Sequence, residues 1–265
     1  MNTQLMSKRG NPVAKAMITL YGIVCYLLFF PTFCYFVAFT GGILVPKTVD
    51  TGVSIPLLEA ILINVGLIAL FGIQHSIMAR QSFKRRITQV IPESMERSTF
   101  VLVSALLLAL ILWQWRPINI TIWQATTQAG QIAMYTLYAL GWSIMLLSTF
   151  LIDHFELFGL KQVFKQFRAR TIADPKFQTP WFYKLARHPM MSGFFIGFWA
   201  TPHMTLGHLI LALGFTTYIL IGVHYEEKDL IKTFGEKYIN YKKEVPKFIP
   251  GLKSRSKVVQ KSVVR

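Results

Sequence analysis

Two stretches near the C-terminus hold the residue types best suited to chemistry. They are Arg187-His188-Pro189-Met190-Met191-Ser192-Gly193 and His224-Tyr225-Glu226-Glu227-Lys228-Asp229-Leu230. No charged residue separates Pro189 from Glu226. Thr201-Pro202-His203 and Gly207 divide that apolar segment into two arms of about 15–17 residues, close to the shortest helix that crosses a bilayer. The pattern predicts a tight helical hairpin over 189–224 that returns to the face it left, setting Arg187-His188 beside Glu226-Glu227. Pro189 suits a first helical turn, where its missing N–H costs nothing. The free N–H groups of that turn can hold a carboxylate. Phe234, Tyr238 and Tyr241 recur at helical spacing on one face. An aromatic face beside paired carboxylates can stack a purine and hold ribose hydroxyls. The same groups would equally serve as snorkelling charges and interfacial aromatic anchors.

The rest of the chain must position these residues. Of 265 residues, 53% are hydrophobic and only 15% charged, with mean hydropathy +0.43. Soluble domains carry about 25% charged residues, so the fold class is an all-α, polytopic membrane helical bundle of about six spans. One domain accounts for the whole chain. Four spans fill 16–152, a surface segment follows at 153–188, and the hairpin occupies 189–224. A ligand-binding segment over 225–250 precedes a disordered basic tail over 251–265. The first apolar segment lacks a cleavage site and is expected to remain as an anchor. With six spans, Lys47 and Arg116 alone of the 28 Lys and Arg lie on one face, and the positive-inside rule places the basic face and both termini in the cytoplasm. The net charge of +16 therefore reports topology and anionic lipid as a partner, not nucleic acid. Leu160, Phe164 and Phe167 alternate with Lys161, Lys165 and Arg168, which predicts an amphipathic helix in the interface. Asp174-Pro175 and Thr179-Pro180 should break the chain after it. Cys25 and Cys34 point to opposite faces of one helix and cannot bridge. No Cys or His spacing suggests a metal.

Of six histidines, His75, His154, His188 and His224 are expected at one level, at span ends on the basic face. Asp153, Glu156, Glu226 and Glu227 join them. Ionisable groups at membrane depth are functional candidates, although a histidine at a helix C-terminus also suits the dipole.

Arg187-His188-Pro189, Gly193, the apolar stretch, Glu226-Glu227, Leu230, Phe234-Gly235, Tyr238, Tyr241 and Val245-Pro246 resemble the isoprenylcysteine carboxyl methyltransferase superfamily over about 187–250. The resemblance implies S-adenosyl-L-methionine as cofactor, bound by Arg187, His188, Pro189, Met191, Gly193, Glu226, Glu227, Tyr238 and Tyr241. Met191 departs from the pattern, which usually has Tyr there, so a hydroxyl contact gives way to packing. Gln74-His75-Ser76, Pro92-Glu93-Ser94, Asp153-His154-Phe155-Glu156 and Trp199-Ala200-Thr201-Pro202-His203 are similar to the bacterial methanethiol S-methyltransferases, which have an NnrU-like N-terminal part. This branch implies methylation of a small thiol, methanethiol, to dimethyl sulfide at the cytoplasmic side of a bacterial inner membrane. A thiol attacks best as thiolate, and free Cys has a pKa of about 8.5. His154 and His75 are therefore candidate catalytic bases, with Asp153 or Glu156 orienting the ring. Phe155, Phe158 and Trp181 would either narrow the acceptor pocket or anchor the interface. A lipid or prenylcysteine acceptor, a sterol-reductase-like NADPH enzyme, and a haem anchor with His75 and His154 as axial ligands are the competing readings. A transporter lacks its paired broken segments. Oligomeric state is open at this point.

Overall fold

The computed structural model describes residues 11–168 and 177–252. The proposed tail beyond 252 and the break at Asp174-Pro175 lie outside the described residues. α1 (Pro12–Gly41) is capped by the Asn11 side chain, which accepts from the Val13 N–H at 2.9 Å. α2 (Leu57–Met78) and the short α3 (Gln81–Ile87) precede α4 (Glu93–Gln114). A four-residue strand, β1 (Thr121–Gln124), leads to α5 (Gln128–Ile152). α6 (His154–Leu157), α7 (Leu160–Phe167) and α8 (Phe182–Leu185) make up the surface segment. α9 (Pro189–Trp199), β2 (His203–Thr205) and α10 (Leu206–Phe234) form the hairpin, followed by α11 (Glu236–Glu244).

Among the described residues, α1, α2, α4, α5 and α10 are long and apolar enough to cross a membrane. The fold is thus an all-α membrane bundle, and α1, α2, α4 and α5 match the four predicted N-terminal segments closely. The first arm of the hairpin differs from its predicted length. α9 has 11 residues instead of about 15–17. Pro202 disfavours helical geometry at Thr201 and removes an N–H, so the helix stops at Trp199. A tight turn follows, in which the Thr201 N–H donates to the Trp199 carbonyl at 3.1 Å, and the chain bends at Pro202 before β2 pairs antiparallel with β1. The first arm is therefore helical for only about 16 Å, and the non-helical segment that completes it is satisfied by protein partners. The Trp123 indole donates to the Thr201 carbonyl at 3.2 Å and the Ala125 N–H to the Pro202 carbonyl at 2.7 Å.

α7 occurs where amphipathicity predicts it, with a modified face. Leu160 and Val163 are buried against α1 and α4, while Phe164 and Phe167 are exposed beside Lys161 and Lys165. The core is aromatic. Phe36, Trp142, Phe198 and Phe215 meet edge to face or tilted, with ring centroids 5.5–6.2 Å apart.

The contact that places the start of α9 is its crossing with α5. A Cβ on Gly193 would lie 2.5 Å from the Met145 nitrogen and 2.6 Å from the Gly141 carbonyl oxygen. One on Gly141 would lie 2.6 Å from the Gly197 nitrogen. Small residues let two membrane helices approach backbone to backbone, and any side chain here forces them apart. Gly193→Val is expected to destabilise the protein by about 1–3 kcal/mol, the usual range for overpacking. Gly222→Ala on α10, where a Cβ meets nothing within 4 Å, should be neutral. Thermal unfolding of both variants in detergent checks the pair.

Candidate active site

The hairpin sets the start of α9 against the far end of α10, and α11 folds back over both. Gly235, with φ 57°, makes the turn between α10 and α11. The result is a cavity of about 210 Å³. Ile152, Met190 and Met191 form its apolar wall, Arg187, His188 and Glu226 its polar wall, and Phe177, Tyr183, Phe234, Tyr238 and Tyr241 its aromatic wall.

Beneath the polar wall lies Glu227, only 5% exposed. Its Oε1 accepts from Arg187 Nε at 2.9 Å, pairs with Arg187 Nη2 at 2.9 Å and lies 3.2 Å from His188 Nε2. Its Oε2 pairs with Lys242 Nζ at 3.0 Å. Arg187 Nη1 donates to the carbonyls of Lys242 at 3.0 Å and Val245 at 2.6 Å. The main chain continues the arrangement. The Arg187 N–H donates to the Pro246 carbonyl at 2.9 Å, and the His188 N–H to the Lys247 carbonyl at 3.1 Å. Ser192 Oγ donates to the Phe248 carbonyl at 2.7 Å. Residues 245–248 thus strap the N-terminus of α9. A buried carboxylate is tolerable only with this many partners.

Glu226, next along the helix, does the opposite. Its side chain is 49% exposed, it lines the cavity, and its Oε2 stands 3.7 Å from His188 Nδ1. The adjacent carboxylates, paired in the sequence reading as one ligand set, divide into an inward lock and a cavity group. Arg187 lines the cavity while committing donors to Glu227 and two carbonyls. Pro189 takes the first helical position and Gly193 turns to α5, so neither is in the cavity wall. Met191, Tyr238 and Tyr241 are in it.

Tyr238 is the anomaly. It is 2% exposed, and its hydroxyl has no hydrogen-bond partner among the described residues although the side chain lines the cavity. A buried polar group left unpaired costs about 1–3 kcal/mol. Burial raises the Tyr238 phenol, with the Glu227 charge adding to the rise. Burial also raises Tyr183, again with help from Glu226, and pushes Tyr241 up to about 12 against the opposing charge of Arg187. All three phenols stay protonated donors at neutral pH. The Tyr241 hydroxyl donates to the Tyr183 carbonyl, tying α11 to α8.

The other histidines lie elsewhere. His154 is buried with both ring nitrogens occupied: Nε2 lies 2.8 Å from the Tyr26 hydroxyl and Nδ1 2.8 Å from Thr149 Oγ1. Its ring stacks on Phe150 at 4.2 Å. His75 Nδ1 lies 3.1 Å from Ser104 Oγ, the ring held among Phe71, Phe100 and Tyr218. Asp153 caps α6 by accepting from the Glu156 N–H at 3.0 Å, and both carboxylates pair with Lys161. His224 is exposed on α10. Of the four histidines predicted at one level, His188 alone lines the cavity. Helical spacing gives depth along the membrane but not which neighbour a ring faces. Phe155 and Trp181 are exposed, and Phe158 packs on Phe29 at 4.5 Å, so none of the three narrows the cavity. Sequence reasoning missed Ile152, Phe177, Tyr183, Met190 and Lys242. Lys242 had a usable signal: it follows Tyr238 by four residues, hence shares its helix face.

Residues 63–250 match the family model described as NnrU protein. The chain is 49% identical to the methanethiol S-methyltransferase of Crocosphaera subtropica, over 92% of this chain and 96% of that one. It is 45% identical to the methanethiol S-methyltransferase of Mycobacterium tuberculosis, over 89% and 97%. The chain belongs to the NnrU family, among its methanethiol S-methyltransferases. Nurim of Xenopus laevis is a more distant relative, 27% identical over 94% of this chain and 95% of its own. No solved structure matches the chain.

Two outcomes follow from the geometry of this family member. Glu227→Ala leaves Arg187, His188 and Lys242 without their shared carboxylate and should destabilise the fold by about 3–5 kcal/mol, the range for breaking a buried pair, measured by thermal unfolding. The second concerns acid. Burial lowers the His154 pKa, with Asp153 partly opposing. The folded ring therefore binds fewer protons than the unfolded one, and stability is present above the unfolded value of about 6.5 and lost as pH falls below it. Burial tends to raise Asp153, but bonds from Lys161 and the Glu156 N–H hold it lower, giving the same sign at more acid pH. Melting temperature should fall between about pH 7.5 and 5.5, and His154→Gln should flatten that fall.

Proposed function

We propose that this chain methylates methanethiol to dimethyl sulfide, with S-adenosyl-L-methionine as donor, in the bacterial cytoplasmic membrane with both termini in the cytoplasm. The observation that carries the donor assignment is the orphaned Tyr238 hydroxyl, buried in the wall of a cavity that also holds a carboxylate and several rings. Such a group calls for a polar ligand. The donor's amino, ribose and adenine groups supply the complementary chemistry: Glu226 for ammonium or ribose hydroxyls, Tyr238 for a hydrogen bond, and Phe177, Phe234 and Tyr241 for stacking. Met191 packs where a hydroxyl would otherwise contact the donor. Arg187, Glu227, Pro189 and Gly193 act by holding these side chains in place.

When bound, the donor supplies a methyl group already activated on a sulfonium. The protein's work is then to orient a nucleophile in line with that methyl and to keep water away. The apolar wall of Ile152, at the end of α5, and Met190 and Met191, in the first turn of α9, suits a small apolar thiol. The six spans read from the hydropathy pattern and the strongly basic face they create support the cytoplasmic orientation. The names of the close relatives support the acceptor.

Purified protein given labelled S-adenosylmethionine and a panel of methanethiol, prenylcysteines and amines should place label in volatile dimethyl sulfide. Label in an amine or prenylcysteine instead would overturn the acceptor. Glu226→Ala should weaken donor binding at least tenfold, about 1.4 kcal/mol, by calorimetry. Reporter fusions at residues 1 and 265 should both read cytoplasmic.

A further inference from the structure

The nucleophile of the proposed reaction begins as a thiol, so its proton needs a destination. The cavity wall holds one imidazole, that of His188. Its orientation is fixed from below. Nε2 lies 3.2 Å from Glu227 Oε1, and that carboxylate is itself clamped by Arg187 and Lys242. A carboxylate on one ring nitrogen sets the tautomer and leaves the other nitrogen to accept. That other nitrogen, Nδ1, makes no hydrogen bond among the described residues. Glu226 Oε2 stands 3.7 Å from it, beyond hydrogen-bond range. His154 has both nitrogens engaged, His75 is held by Ser104, and neither lines the cavity.

We propose that His188 Nδ1 is the proton acceptor for the thiol, a catalytic role in place of the donor-binding role that the sequence motif implies. The inference rests on the thiol-methylation reading above. The S–H bond breaks and its proton passes to Nδ1. The sulfur electron pair freed in that step forms the new bond to the methyl carbon. The methyl's bond to the donor sulfur breaks, and that electron pair stays on the donor sulfur, cancelling its positive charge. The imidazolium formed lies between Glu226 and Glu227, two carboxylates that stabilise it. Glu226 is open to water and gives the proton a way out.

His188→Gln keeps a polar side chain of similar reach, and His188→Asn serves as a second variant if the first does not fold. Both are assayed as full-length protein in detergent against thiols of increasing acidity, from methanethiol to an aromatic thiol already ionised in solution. Donor affinity should stay within about twofold by calorimetry. Methanethiol kcat/KM should fall about 10²–10⁴-fold, the scale of a general base, and the loss should shrink steadily as the thiol becomes more acidic. A readout independent of turnover is the ultraviolet absorbance of thiolate in the dead-end complex with S-adenosylhomocysteine. It should appear at neutral pH in the unmodified protein and be missing in the variants. A loss equal for every thiol, or a large drop in donor affinity, would return His188 to donor binding and overturn the proposal. Unchanged methanethiol turnover would also overturn it. An unmodified protein that methylates no thiol would instead overturn the thiol reading itself.

Discussion

A carboxylate with almost no access to water organises the functional end of this protein. Glu227 draws a guanidinium, an imidazole and an ammonium to two oxygen atoms. The four residues come from three parts of the chain: Arg187 and His188 from the start of α9, Lys242 from α11, and Glu227 itself from α10. Such a cluster is stable only when complete, because removing one member leaves an uncompensated charge in a low-dielectric setting. The lock therefore fixes the relative positions of three elements more sharply than apolar packing would, since aliphatic contacts tolerate sliding and charge-assisted hydrogen bonds do not. His188 and Glu226 inherit their geometry from it.

The second constraint is steric. Gly141, Gly193 and Gly197 let α5 and α9 touch at the backbone, which places the first turn of α9 and brings Ile152, at the end of α5, to the cavity wall. Gly193 belongs to the sequence motif that resembles a methyl-donor site, yet its missing side chain serves helix contact. A motif can thus combine residues that face a cavity with residues that allow the cavity to form.

Much of this was legible in the sequence because it follows from hydropathy and connectivity. Long apolar runs fix the spans, and two arms joined at Thr201-Pro202-His203 must return Glu226 and Glu227 to the level of Arg187 and His188. Azimuth is what the sequence lacked. Nothing in the runs around His75 and His154 says that one ring would pack among Phe71, Phe100 and Tyr218 and the other on Phe150, away from the cavity. Neighbouring Glu226 and Glu227 looked alike, and only the helix rotation sends one inward and one to the cavity. α9 stops short because Pro202 ends the helix at Trp199, an effect that hydropathy alone does not register. Tyr238 carried a helical-spacing signal, but its orphaned hydroxyl is a property of packing alone.

The strap formed by residues 245–248 makes the cavity vulnerable to a single cut. Arg187 and His188 find main-chain acceptors in Lys242, Val245, Pro246 and Lys247, and Glu227 finds its ammonium partner in Lys242, all beyond the turn at Gly235. A proteolytic nick between α10 and α11 would leave the apolar helices packed against one another while releasing these partners together. The chemistry is then lost before the membrane body is, so limited proteolysis silences the site without dismantling the bundle.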